Sequence, residues 1–167
     1  MTNEELEQEV KRLEEQITNL RIKILESKAE KKPYEVEVPG DLENYYNTGI
    51  YGIVDRLEDF SAPFRENCYI RGLAFKTREE AERYDIERKL LFKLHKWAEE
   101  HNGEWIPNWK DFKEEKYTIV YDHDCEKFYV YLNFYYGDLS KLPLFKTEKI
   151  AEQFIEEFGD EIKEVLC

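Results

Sequence analysis

Apolar residues recur near the start of the chain in alternating steps of four and three, the spacing of one helix face. This pattern predicts a helix from about Asn3 to Ala29. Leu occupies the heptad d positions and Val or Ile the a positions, which favours two-stranded coiled coils. The predicted seam consists of Leu6, Val10, Leu13, Ile17, Leu20 and Ile24. We therefore expect residues 1–32 to form a dimerisation arm, with packing of the seam on the rest of the chain as the alternative.

Charged residues beside the seam leave the orientation of a dimer open. In a parallel pair, Glu9 faces Glu14 of the other chain, a mild repulsion. In an antiparallel pair, Glu7 approaches Arg21 and Glu9 approaches Lys23. An acidic start and a basic end also complement the helix's own macrodipole, so this gradient does not establish pairing.

The periodic pattern weakens after Pro33, which cannot continue a helix. Alternation over Tyr34–Val38 predicts a short strand, and a short helix is expected at Ile53–Phe60. The rest of 33–67 is expected to be an irregular linker and loop region. The apolar stretch Cys68–Phe75 predicts a further strand.

Two long elements follow. Thr77 and Glu80 have the spacing of a capping box, so a helix is expected from there to about His101, before Asn102-Gly103. Tyr117–Tyr121 and Phe128–Tyr136 predict a hairpin in which paired residue numbers sum to 249. One face is expected to join the core (Tyr117, Ile119, Tyr121, Phe128, Val130, Leu132), and the other to be amphipathic and rich in Tyr (Thr118, Val120, Tyr129, Tyr131, Asn133).

The last part of the chain resembles an earlier part. Phe145-Lys-Thr147 matches Phe75-Lys-Thr77 at an offset of 70, which predicts either a repeated strand-to-helix unit or convergence on the same helix cap. A helix over Glu148–Phe158, a break at Gly159 and a short final helix complete the prediction. The fold class expected for residues 68–167 is α+β, a small antiparallel sheet with helices packed on one face.

Composition restricts the function. The 167 residues carry 38 Asp and Glu against 25 Lys and Arg, a formal net charge of −13, and 15% are aromatic. Such a chain can pack a core, but it does not have the dense cationic face that binding a phosphate backbone requires. We therefore expect no direct nucleic-acid binding. No apolar run is long enough to cross a membrane, and three cysteines without CxxC spacing suggest reduced thiols in the cytoplasm.

Candidate chemistry is sparse. The sequence contains no glycine-rich phosphate loop, serine elbow or paired-histidine zinc motif, so neither an enzyme nor a cofactor is indicated. His123 lies in a run with Asp122, Asp124 and Cys125, but a polar hairpin loop capped by Asp side chains explains this run better than a metal site. Aromatic residues are better candidates for contacting a partner: Tyr129, Tyr131, Tyr135, Trp105 and Trp109.

The run Gly72–Glu82, the strand Lys116–Asp122, and the closing Phe-Lys-Thr helix with Phe158-Gly159 together resemble a small-protein type found in phages and prophages of Gram-positive bacteria. The resemblance covers about residues 68–166. Some small acidic phage proteins of this build are anti-CRISPR or other anti-defence factors, so the resemblance implies such a role. It supplies no active-site residue for this chain.

The preferred hypothesis is a non-enzymatic inhibitor that binds a host defence protein, such as a CRISPR effector nuclease, in the cytoplasm of the infected bacterium. Its acidic surface would compete with nucleic acid, and its arm would make it a homodimer. Two alternatives remain. One is a module that sequesters a nucleotide signal between the Tyr face and nearby cations (Arg56, Arg65, Arg71, Lys116); the other is a phage structural or regulatory dimer.

Overall fold

The computed structural model describes residues 2–29, 34–49, 51–134 and 140–167. The chain divides into two compact units, Met1–Val38 and Pro39–Cys167. The second unit begins at Pro39.

Helix α1, Asn3–Ala29, occupies most of the first unit and has the predicted bounds. Its first turn is a capping box: the Glu5 backbone N–H donates to Thr2 Oγ1 at 3.3 Å, and Thr2 N donates to the Glu5 carboxylate at 2.7 Å. The strand predicted at residues 34–38 is not formed, since they pair with no strand in the described part of the chain. The Tyr34 side chain is exposed. The predicted end of the arm at Pro33 lies outside the described residues.

The second unit opens with a small sheet that the sequence pattern missed. Its three antiparallel strands, β1 (Tyr46–Thr48), β2 (Val54–Arg56) and β3 (Ala74–Phe75), lie in the order β2-β1-β3. Two single-turn 3₁₀ helices, Leu42–Asn44 and Leu57–Asp59, flank β1 and β2. Where the sequence predicted an irregular region, the structure has β1, and where it predicted a short helix at Ile53–Phe60, the structure has β2 followed by the 3₁₀ helix Leu57–Asp59. These strands of three residues are too short to show a period.

Helix α2, Ala62–Ile70, includes the first three residues of the strand predicted over Cys68–Phe75. Pro63 lies in the first helical turn, where its missing N–H costs nothing, and Gly72 follows the helix with a φ of 69°. Cys68 is apolar and buried because it faces Leu42 and Leu57 from a helix, not from a strand. Only the last two residues of the predicted strand pair, as β3.

The long helix and the hairpin agree with the prediction. Helix α3, Arg78–Asn102, begins with the Thr77 and Glu80 capping box. Strands β4 (Lys116–Asp122) and β5 (Lys127–Asn133) pair antiparallel with Asp122 opposite Lys127, the predicted register. Because register sets which side chains share a face, the residues share the two predicted faces. The predicted core position of Leu132 is wrong, because its side chain is 37% exposed, and Thr118 and Asn133 on the other face are buried.

Helix α4, Glu148–Leu166, is continuous, so the predicted break at Gly159 is wrong. Gly159 is buried, and a Cβ placed on it would lie 3.5 Å from the Phe128 ring. The glycine therefore lies where the helix packs closely on β5, and the packing holds it helical. The main core combines α3, α4 and the hairpin: Leu90, Leu94, Ala98, Ile119, Phe145, Ala151, Phe154, Phe158 and Ile162.

The second unit contains the same small motif twice. In each copy, a hairpin is followed by a Phe that pairs with the hairpin's first strand: Phe75 opposite Tyr46, and Phe145 opposite Tyr117. The Thr two residues later then caps the next helix. The Phe ring contacts an aromatic ring nine residues on in both copies, at 5.0 Å between centroids in the first and 4.8 Å in the second. The similarity at an offset of 70 therefore extends to strand order, cap and packing.

Candidate functional site: the aromatic surface beside β5

The exposed face of the second hairpin carries Val120, Tyr129 and Tyr131, which we call the tyrosine face. Tyr129 lies opposite Val120, and Tyr131 lies opposite Thr118. The side chains of Tyr129 and Tyr131 are 46% and 59% exposed. Alternation along the strands directs these residues away from the core, which is formed by their neighbours Ile119 and Val130. The phenol rings of Tyr129 and Tyr131 are therefore accessible on one strand of the paired hairpin.

The other end of the same face is covered. Lys116 is completely buried, and Asn133 opposite it is 8% exposed. The Lys116 ammonium lies 3.0 Å from the Glu114 carboxylate and donates to the Glu114 carbonyl oxygen at 2.9 Å. It also lies 5.3 Å from the centre of the Trp109 ring, a cation–π distance. The loop after α3 therefore folds over one end of the sheet face.

Glu114 organises this loop. Its carboxylate accepts from Trp105 Nε1 at 2.9 Å and from the Asn108 backbone N–H at 2.6 Å, besides contacting Lys116. Hydrogen bonding to Lys116, then to Asn108 and Trp105, lowers the pKa of the Glu114 carboxyl. The pair holds two of the predicted partner-binding residues, Trp105 and Trp109, in fixed and half-buried positions.

A groove of about 570 Å³ lies beside Trp105, between the C-terminal end of α3 and residues 142–144. Its lining is mostly apolar, and Ile106 in it is 81% exposed. Glu99 and Glu104 also line it. Asn102 joins the two walls by donating to the Leu144 carbonyl at 2.8 Å and accepting from the Lys146 N–H. The groove thus combines an apolar lining with two carboxylates.

Four of the five predicted partner-binding residues lie in the described part of the chain, on the hairpin and in the loop that precedes it. Tyr129 and Tyr131 lie on the tyrosine face, Trp109 packs at its covered end, and Trp105 connects Glu114 to the groove. Tyr135 lies outside the described residues. The sequence analysis treated Lys116 only as an available cation and missed the Glu114 contact. The signal for it was a lysine on a strand face directly after an acidic loop.

The four candidate cations are not gathered at the tyrosine face. Arg56 pairs with Glu58 at 3.2 Å, Arg65 with Glu43 at 3.9 Å, and Lys116 with Glu114. Arg71 lines a separate cavity of about 310 Å³ beside Cys68, whose thiol accepts from Asn47 Nδ2 at 3.0 Å. Arg56, Arg65 and Arg71 thus have separate contacts in the described part of the chain, and Lys116 is buried at the covered end of the sheet face that carries the Tyr rings.

The histidines have structural contacts. His95 Nε2 lies 2.9 Å from the Lys141 carbonyl oxygen, and His101 Nδ1 lies 2.8 Å from the Trp97 carbonyl oxygen. In the hairpin loop, Asp122 Oδ1 accepts from the backbone N–H groups of Asp124 and Cys125, the predicted capping arrangement. Among the described residues, no group of three His, Cys, Asp or Glu side chains is arranged to hold a metal ion.

The predicted dimerisation residues lie in register along one face of α1. All six, Leu6, Val10, Leu13, Ile17, Leu20 and Ile24, are exposed in the chain, each by 43% or more. Ile22 is also exposed, by 46%, but lies off the seam. Within the described part of the chain, no helix combines the length and apolar character needed to cross a membrane.

Comparisons of the chain with protein-family models, with curated proteins and with solved structures found no match.

Proposed function

We propose that this protein is a non-enzymatic inhibitor of the phage type, which binds a basic, nucleic-acid-binding defence protein in the cytoplasm of an infected bacterium. Its tyrosine face and the groove beside Trp105 would contact the partner, and its acidic surface would occupy the partner's cationic channel. A CRISPR effector nuclease is a target of this kind.

The observation that carries the proposal is the exposure of Tyr129 and Tyr131 on a folded, strongly acidic protein. Tyr rings supply a large contact area at small entropic cost, and they are common at the centres of interfaces. A net charge of −13 accelerates encounter with a cationic surface. The groove beside Trp105, with its apolar lining and two carboxylates, has the same preference for basic segments.

We further propose that α1 forms a homodimeric coiled coil through its exposed seam. A helix of 27 residues with apolar side chains on one face gains stability when that face is buried. Substituting Ile17→Asp places a charge on the seam and is expected to give a monomer, whereas the same change at Ile22, off the seam and equally exposed, is expected to leave the dimer intact. Sedimentation equilibrium measures both.

A plaque assay tests the inhibitor role. The chain is expressed in a bacterium whose CRISPR system restricts a known phage, and plaques are counted with and without expression. We expect expression to restore plaquing. Unchanged restriction, together with unchanged binding of target DNA by that host's purified effector, would overturn the assignment.

Matched tyrosine variants test the surface. Tyr129→Ser with Tyr131→Ser is expected to abolish the effect on plaquing, because both rings leave the proposed contact. Tyr51→Ser is the control, since Tyr51 is 85% exposed in the turn of the first hairpin. Equal activity of the double variant and the control would exclude the tyrosine face. Binding to the effector should also weaken as salt rises, because screening reduces charge attraction.

A further inference from the structure

We propose that the two copies of α1 pair antiparallel in the homodimer, so that the two helix C-termini lie at opposite ends of the helix pair. This inference rests on the proposed dimer. It adds the orientation, which the apolar pattern alone leaves open.

The apolar positions fit an antiparallel pair centred on Glu15. Residues whose numbers sum to 30 then face each other, and each layer combines an a position with a d position: Leu6 with Ile24, Val10 with Leu20, and Leu13 with Ile17. All six of these side chains are exposed. The three layers occur twice in the dimer, so the full seam is used.

The flanking charges distinguish the two orientations. In the antiparallel pair, e positions face e positions and g positions face g positions. Glu7 then lies beside Arg21, and Glu9 lies beside Lys23, each contact occurring twice. Glu14 meets its own copy, which is a single repulsion at the centre of the pair.

In the parallel pair, g positions face the e positions of the next heptad. Glu9 then lies beside Glu14 in two places, and Arg21 lies beside Gln16, a neutral partner. The parallel arrangement therefore loses all four of the opposite-charge contacts and has more like-charge contacts. Glu9 also forms an ion pair with Arg12 of its own helix at 3.4 Å, so Glu7 and Arg21 give the cleaner test.

The orientation sets the distance between the two helix C-termini. A helix of 27 residues is about 40 Å long at ~1.5 Å per residue, so the C-terminal ends of the two helices lie about that far apart. In a parallel pair the same two ends would lie side by side.

A charge reversal tests the orientation. In the antiparallel pair Arg21→Glu faces Glu7, and we expect the dimer dissociation constant to rise about fivefold. The second change Glu7→Arg restores opposite charges, and we expect the double variant to return to within about twofold of wild type. Both changes oppose the helix macrodipole and therefore destabilise the isolated helix. Recovery of the dimer affinity in the double variant can then come only from the contact between the two helices. Lys11→Glu, off the seam, is the control.

Disulfide trapping measures the orientation of the two helices independently of the charge variants. In a background of Cys125→Ser and Cys167→Ser, the buried Cys68 remains protected. One chain carries Leu6→Cys and a second, longer tagged chain carries Ile24→Cys. The antiparallel pair is expected to give the mixed disulfide upon mixing and mild oxidation, whereas a parallel pair gives each chain linked to its own kind.

The outcomes separate this inference from the proposed function. A dimer that forms same-chain disulfides, or that ignores Arg21→Glu, overturns the antiparallel orientation and leaves the dimer standing. A chain that sediments as a monomer overturns both dimer and orientation. The inhibitor role is measured separately, by plaquing and by effector binding.

Discussion

The Lys116 ammonium lies 3.0 Å from the Glu114 carboxylate while Lys116 itself is completely buried. A buried ammonium needs oxygen atoms around it, and the two Glu114 groups with the Asp111 carbonyl at 3.4 Å provide them. The ion pair therefore secures the loop that carries both tryptophans against the sheet.

Removing the Glu114 carboxylate alone should lower thermal stability more than removing the charges of both Glu114 and Lys116. Glu114→Gln leaves Lys116 buried without a counter-charge, and we expect the melting temperature to fall by about 5 °C or more. Lys116→Met in the same background should recover part of the loss, because an apolar side chain suits the site. Thermal unfolding followed by circular dichroism measures this, with Glu104→Gln on the loop surface as control. Equal melting temperatures for Glu114→Gln and the control would contradict the role given to the pair.

Asp85 should make stability depend on pH in the acid range. Hydrogen bonding to Lys89 at 2.5 Å, with a further contribution from Arg88 at 3.0 Å, holds its pKa below the ordinary value of 3.8. A depressed pKa means that the stabilisation is present above pH 3.8 and is lost as pH falls through the lower value in the folded state. Urea unfolding between neutral and acid pH should therefore show a smaller loss in Asp85→Asn than in wild type. Asp160→Asn, at an exposed site, should follow wild type.

Substitution by alanine should change the stability of the protein in opposite directions at two glycines. Gly159 is helical, and its added Cβ would meet Phe128 at an ordinary contact distance of 3.5 Å. Gly159→Ala is thus expected to raise the free energy of unfolding by about 0.5–1 kcal/mol through backbone entropy. Gly52 has a φ of 73°, and its Cβ would lie 2.9 Å from Lys89 Nζ, so Gly52→Ala should lower stability by about 1 kcal/mol. Destabilisation by Gly159→Ala would show that the α4 contact with β5 is tighter than this.

The two threonine caps should contribute about equally to stability. Thr77 Oγ1 accepts from Glu80 N at 3.1 Å, and Thr147 Oγ1 accepts from Ile150 N at 3.3 Å. Thr77→Ala and Thr147→Ala are each expected to cost about 1 kcal/mol in denaturant unfolding. Ser61 precedes α2 without a side-chain cap bond, so Ser61→Ala is the control and should change little. A loss at Ser61 as large as at the two threonines would show that the measured cost is not due to the cap bond.

The sequence by itself determined the elements whose signals are local and long. The heptads of α1, the capping box at Thr77 and the alternation of the second hairpin each repeat over enough residues to specify helix, start or register. Pairing Asp122 with Lys127 then assigned every residue of β4 and β5 to a face, including Tyr129 and Tyr131.

Only the tertiary structure decided the rest. Strands β1, β2 and β3 are two or three residues long and exist because they pair with one another, which no local period records. Gly159 stays helical because α4 packs on Phe128. Lys116 is buried because carbonyl and carboxylate oxygens from the preceding loop surround its ammonium. In each case the free energy that stabilises the local structure comes from a contact between segments that are distant in sequence or folded back on each other. Such contacts form only when the whole unit packs.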